Sequence, residues 1–144
     1  VPVTTVVNLL DTDASPETVF DRVADLRTEA AWNPAARRID LLGAEPVGVG
    51  SRFEGTWLGL GGGTAEIVEY DRPRCWRTRC RFRGLDVDLV GDVEARGSGS
   101  RLTLTISLAA PGALGSALPA LAAGMRVAGR ANMRRLGKIL APRG

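Results

Sequence analysis

Arg74-Cys75-Trp76-Arg77-Thr78-Arg79-Cys80-Arg81-Phe82-Arg83 is followed, after Gly84, by Leu85-Asp86-Val87-Asp88-Leu89-Val90-Gly91-Asp92-Val93-Glu94. Side chains on a strand alternate between faces. In the first stretch Trp76, Thr78, Cys80 and Phe82 therefore point one way, and Arg77, Arg79, Arg81 and Arg83 the other. In the second, Leu85, Val87, Leu89 and Val93 share a face, and Asp86, Asp88, Asp92 and Glu94 share its opposite. Neighbouring strands with one apolar and one charged face predict an antiparallel sheet covered on one side and wet on the other. A two-residue turn at Gly84-Leu85 sets Arg83 opposite Asp86, Arg81 opposite Asp88 and Arg77 opposite Asp92; the preceding hairpin sets Glu66 opposite Arg79. Four alternating arginines suggest a nucleic-acid surface, but opposite charges facing each other across strands neutralise the stripe. Nucleic acid is not the expected partner.

Working outward, further strands are expected at Arg37–Leu42, Ser51–Leu58, Thr64–Tyr70 and Arg101–Leu108. They are separated by glycine-rich turns or by Asp71-Arg72-Pro73. The β-branched run Val3–Leu10 reads as a first strand. Ser15-Pro16-Glu17 supplies an N-cap, a proline at the first helical position and an acid in the first turn. Val19, Phe20, Val23 and Ala24 give that helix an apolar stripe. A second helical piece from Thr28 to Trp32 stops at Asn33-Pro34, because the residue before proline is steered away from the α region. A long helix is predicted from Gly115 to Leu140, with Ser116 as its cap and Pro119 in its first turn. Leu118, Leu121, Met125, Ala128, Asn132, Leu136 and Ile139 form one face, and Arg126, Arg130, Arg134 and Lys138 another. The uncharged run Leu102–Met125 is long enough to span a bilayer. It alternates as a strand in its first half, however, and breaks at Pro111-Gly112. The expected fold is α+β: a curved seven-stranded antiparallel sheet around one long C-terminal helix, with two short helices after strand 1, in one domain over residues 1–144.

Composition narrows the chemistry. Histidine is absent among the 144 residues, which removes the commonest general base and metal ligand. Cys75 and Cys80 lie five apart on opposite faces of one strand, too poorly placed to bridge. No zinc site is expected. No loop spaces its acids like an EF-hand and no cofactor motif is present, so neither metal nor cofactor is expected. Leu58–Gly63 lacks the lysine and following helix of a phosphate loop and reads as a mobile flap or a plain hairpin tip. With no framework of cysteines and no signal-peptide pattern, a cytoplasmic location is expected. Charge is uneven. Residues 1–94 carry 11 basic and 16 acidic side chains; residues 95–144 carry 8 basic and none acidic. Of the 19 basic residues 18 are arginine beside abundant Ala and Gly, a pattern of composition bias. The basic helix face is therefore either a solvated back or a surface for an anionic membrane or partner.

Three stretches resemble a known family. Asp13-Ala14-Ser15-Pro16-Glu17-Thr18-Val19-Phe20 matches its opening helix start, and Trp32-Asn33-Pro34 its tryptophan-to-proline element. Gly48-Val49-Gly50-Ser51-Arg52-Phe53, followed by Ile67-Val68-Glu69-Tyr70-Asp71-Arg72-Pro73-Arg74, matches the rhythm of its middle strands. In these and in the order of its elements the chain resembles the START/Bet v1-like (SRPBCC) superfamily, and within it the polyketide cyclase/dehydrase and lipid-transport group. The resemblance implies a helix-grip fold and a cavity between sheet and terminal helix. In that superfamily such cavities bind sterols, lipids or polyketides, and some members cyclise or dehydrate them.

Strand parity gives Phe53, Trp57, Ile67, Trp76, Thr78, Cys80, Phe82, Val87, Leu89 and Leu104 as residues expected to line that cavity; Met125 and Asn132 join them from the helix face, and Trp32 either lines the mouth or packs the helix end. Each apolar member reads equally as core. Asn132 and Thr78 are polar on an apolar face, and either orient a ligand or bond to backbone or water. Glu69 is the one acid that strict alternation turns inward, opposite Trp76. Buried there it would act as acid or base; at the rim it would be solvated or pair with Arg74. Cys80, without a histidine, reads as an inert thiol. The expected function is binding of a small hydrophobic, lipid- or polyketide-like molecule. The alternatives are a polyketide cyclase/aromatase-type enzyme using Glu69, Asn132 or Thr78, and an interaction module using the basic helix face.

Overall fold

The computed structural model describes residues 2–141. Strand β1 (Val3–Thr12) runs into helix α1 (Pro16–Val23), whose cap Ser15 accepts a hydrogen bond from the Thr18 N–H at 3.2 Å. A 3₁₀ turn, Leu26–Ala31, follows, capped by the Asp25 carboxylate. Six strands come next: β2 (Ala36–Leu42), β3 (Arg52–Trp57), β4 (Gly61–Asp71), β5 (Cys75–Phe82), β6 (Leu85–Arg96) and β7 (Gly99–Ala109). Helix α2 (Gly112–Leu140) closes the chain. The seven strands form one antiparallel sheet in the order β1-β7-β6-β5-β4-β3-β2. The uncharged run Leu102–Met125 is divided between β7 and α2, and among the described residues no helix is long and apolar enough to cross a membrane.

The charged stripe lies on the outer face, with its register two residues from expectation. Phe82 pairs with Leu85, so Arg83 and Gly84 make the turn, Arg81 faces Asp86 and Arg79 faces Asp88. Gly84 takes the left-handed conformation (φ 72°), and Leu85, buried against Leu108 and Leu118, belongs to the ladder rather than to the turn. Arg77 reaches diagonally to Asp88 at 2.8 Å instead of pairing with Asp92. Glu66 sits opposite Arg79 as expected, although its carboxylate lies nearer Arg52, at 3.7 Å.

Two other boundaries move. Gly61, Gly62 and Gly63 belong to β4, so the supposed flap shrinks to Leu58–Leu60. That tip is tied back by hydrogen bonds from the Leu58 N–H to Ala35 O and from the Leu60 N–H to Trp57 O. Glycine at position 63 leaves room for Phe82: a Cβ there would lie 2.7 Å from the ring. Helix α2 starts three residues early, after Pro111, with no side-chain cap; Ser116 is an exposed interior position, and Pro119 stands two turns in.

Helix α2 packs chiefly along β1, at one edge of the sheet. Arg126 donates from Nη2 to the carbonyl of Thr5 on that edge at 2.9 Å, and Arg130 and Arg134 continue along the same groove. Three apolar clusters fill the concave side. One joins α1, Trp76 and the end of α2; one joins the 3₁₀ turn to β2–β5; one joins β1, β6 and β7 to the start of α2. Because the helix leans on one edge, these clusters leave space where they meet.

Candidate functional site

That space is a cavity of about 210 Å³. Of the residues expected there, Trp32, Trp57, Cys80, Phe82, Val87, Leu89, Leu104, Met125 and Asn132 border it. Phe53, Ile67, Trp76 and Thr78 face the same side but do not line it. Phe53 and Ile67 are fully buried among the 3₁₀ turn and β2–β5. Trp76 is covered by Phe20, ring centroids 5.2 Å apart and edge to face, and lies over Gly91. Thr78, opposite Ile67, is buried with it. These four belong to the packed floor beside the cavity.

Glu69 is corrected outright. The β4–β5 register slips between Ile67 and Glu69, so one extra residue in β4 reverses the alternation. Tyr70 turns in to meet Phe20 edge to face at 5.0 Å, and Glu69 turns out to solvent, opposite Arg77 and 3.8 Å from it. It has no place in the cavity.

The acid that does border the cavity is Glu29. A 3₁₀ helix has three residues per turn, so side chains three apart eclipse. Leu26, Glu29 and Trp32 thus share one face of the turn, and all three line the cavity. Glu29 keeps some accessible surface as a residue, but its carboxyl group is packed deep among protein atoms. Its Oε2 accepts two hydrogen bonds at 2.8 Å, from Trp57 Nε1 and from Asn33 Nδ2. Burial pushes the carboxyl above its ordinary value, against the opposing pull of those two donors. No described donor reaches Oε1. The Trp32 Nε1–H is fully buried and has no acceptor among the described residues. Asn33 is held by its own Oδ1, which accepts from the Ala35 N–H at 3.1 Å.

The far wall is milder. Asn8, from β1, borders the cavity against α2, where Gly129 makes room: a Cβ there would lie 2.4 Å from Asn8 Oδ1. Asn132 Oδ1 is already engaged by Arg135 Nη1 at 3.0 Å. The Cys80 thiol is pushed up to about 12 by burial, with Glu29 and Asp88 adding to the rise, so at neutral pH it is no nucleophile. Among the described residues no lysine or arginine lines the cavity. Among the described residues no cluster of metal-ligating side chains occurs. The arrangement is thus an apolar chamber with a polar end made by Glu29 and the Asn33 and Trp57 groups bonded to it.

Comparison with known proteins agrees with this architecture. Protein CV1439 from Chromobacterium violaceum superposes with a TM-score of 0.68 at 18% identity, over 97% of this chain and 99% of that one. CalU16 from Micromonospora echinospora gives a TM-score of 0.66 at 16% identity, over 97% and 78% of the respective chains. Ara h 8.0201, a Bet v1-like structure, gives 0.64 at 16% identity, over 91% and 95%. At such identities the likeness is one of fold, the helix-grip fold of the START/Bet v1-like superfamily. No curated protein sequence matches significantly. The family model described as polyketide cyclase/dehydrase and lipid transport matches residues 3–141, and the chain belongs to that family.

Proposed function

We propose that the chain binds a small, largely apolar molecule in the chamber between the sheet and α2. The carrying observation is the chamber itself, walled by Leu, Val, Met, Phe and Trp side chains with polarity gathered at the two ends. Apolar pockets with a few convergent polar groups are the usual form of small-molecule sites. Size limits the ligand. An apolar cavity of about 150 Å³ holds benzene, so about 210 Å³ suits a molecule of one or two rings, or a short chain. Membership of a lipid-transport and cyclase family is in keeping with this.

Native mass spectrometry of the purified protein, with extraction and identification of any retained small molecule, tests the reading. A stoichiometric apolar ligand supports it. A clean unliganded mass that persists after incubation with two-ring aromatics and short-chain lipids overturns it.

A second reading, a cyclase-type enzyme, is favoured by the buried carboxyl of Glu29 at the chamber wall. Such an enzyme holds a reactive chain in shape and moves protons. Of the expected proton handlers Asn132 still borders the chamber, whereas Glu69 and Thr78 do not. In an enzyme, Glu29→Gln abolishes turnover while the substrate remains bound.

A further inference from the structure

We infer that the margin where α2 grips β1 docks the protein on an anionic lipid surface. Two observations carry this, and neither depends on the chamber. The first is charge without a partner. Every ion pair among the described residues lies outside α2, whereas Arg126, Arg130, Arg134 and Lys138 reach no carboxylate. A solvated helix back commonly alternates the two signs. This one has only cations, and at about 100° per residue the four fall within an arc of about 120°. The exposed Val127 lies inside that arc.

The second is apolar surface beside that charge. Over β5 and β6 the outer face is a ladder of arginine and aspartate. Along β1 and β7 the ladder stops: Val3, Thr5, Val7 and Leu9 stand opposite Ala109, Ser107, Thr105 and Thr103, a strip with no charge. Val7 and Leu9 are more than half exposed, and they border one groove with Arg126, Arg130 and Arg134. An apolar patch rimmed by polar groups marks an interaction surface. Arg126 spends one N–H on the Thr5 carbonyl, which fixes its guanidinium at the border; its other donors, and those of Arg130 and Arg134, are left for phosphate oxygens. Aliphatic side chains set among cations suit a membrane interface, where the first sink below the headgroups and the second stay with them. A nucleic acid would use the charge alone, since bases stack on aromatic side chains and none borders this groove.

The experiment is co-sedimentation of the chain with vesicles of phosphatidylcholine alone and of phosphatidylcholine with equimolar phosphatidylserine. The proteins are the wild type and three double variants: Arg130→Gln with Arg134→Gln, Val7→Thr with Leu9→Thr, and Arg79→Gln with Arg81→Gln, each checked for native circular dichroism. The wild type is expected to partition onto the phosphatidylserine vesicles only, and less so as salt is raised. At roughly fivefold per basic residue, R130Q/R134Q should lower the partition coefficient about 25-fold. R79Q/R81Q removes the same charge from the paired ladder and should lose far less. V7T/L9T keeps the charge and should lose roughly fivefold or more. Failure of the wild type to partition onto phosphatidylserine vesicles overturns the proposal. Equal losses in R130Q/R134Q and R79Q/R81Q also overturn it, because the attraction is then one of net charge. A V7T/L9T protein that binds vesicles like the wild type overturns it too, as does wild type that binds polyglutamate or a single-stranded oligonucleotide but no vesicle; either result assigns the arginine row to a soluble polyanion.

Discussion

Replacing Trp57 by Phe tests the electrostatics of the chamber through a quantity that packing alone does not move. The substitution removes the indole N–H that reaches Glu29 Oε2 at 2.8 Å, together with part of a ring that meets Phe82 edge to face at 5.3 Å. The packing loss is independent of pH. The hydrogen bond is not: to a neutral acceptor it is worth about 0.5–1.5 kcal/mol, and to an ionised one about 1.5–3 kcal/mol. Burial raises the Glu29 carboxyl, so the folded protein holds this proton at pH values where the unfolded chain has released it. Stability therefore falls as pH rises from the ordinary value of 4.5 through the raised folded one, and levels off above it. The Trp57 bond opposes that rise. Without it the fall is larger, and the W57F penalty grows by about 1 kcal/mol between about pH 5 and about pH 9. At this chain length that is an extra loss in Tm of about 2–4 °C at the alkaline end. The assay is urea unfolding followed by circular dichroism, since W57F alters tryptophan fluorescence, for wild type, W57F, E29Q and the double variant. In the E29Q background the penalty should be flat with pH. A W57F penalty that is the same at both ends of the range, within about 0.3–0.5 kcal/mol, refutes the coupling of this bond to a titrating Glu29.

Three further outcomes follow from particular contacts. Glu29→Gln removes the proton that folding retains, so its stability should stay level above pH 4.5 where the wild type declines; equal slopes in both proteins would assign the decline to other groups. Gly91→Ala places a Cβ 2.3 Å from the buried Trp76 ring and should cost at least about 1–3 kcal/mol in thermal unfolding, whereas Gly62→Ala, with no atom nearer than 4.0 Å, should stay within about 1 kcal/mol. A wild-type melting temperature for G91A would count against that packing. In native protein an aromatic disulfide reagent should titrate the part-exposed Cys75 first and Cys80 only on unfolding; prompt reaction of both would contradict the burial of Cys80 and its thiol at about 12.

How far the sequence carried the fold can be judged residue by residue. Period-two alternation in β5 and β6 placed Trp76, Cys80, Phe82, Val87 and Leu89 on the concave face correctly, because each strand is regular. The same rule failed at Glu69, where a single bulge residue reversed it. Bulges depend on how two strands meet, and no periodicity within one strand encodes that. Parity also could not separate chamber from floor. Trp76 and Trp57 face the same way, and only the docking of α1 through Phe20 buries the first. Glu29 was missed because the second helical piece was begun at Thr28, which left Leu26 outside it and gave the segment no face. At three-residue spacing Leu26, Glu29 and Trp32 form a row with an acid between two large apolar side chains, a signal that was present. Asn8 was legible too, as the inward polar position in the alternation Val6, Asn8, Leu10.

The grip of α2 on β1 bears on how the protein behaves in a crowded solution. A sheet that does not close keeps a raw margin of unpaired amides and carbonyls, on which a stray extended chain can nucleate aggregates. Here the margin carries exposed Val3, Val7 and Leu9, which would make it adhesive. Arg126 occupies the Thr5 carbonyl, and Arg130 and Arg134 stand along the same border, so an approaching strand meets like charges from each further copy before it meets a free ladder. The acid-free C-terminal helix thus lays a row of like charge along the open margin of the sheet.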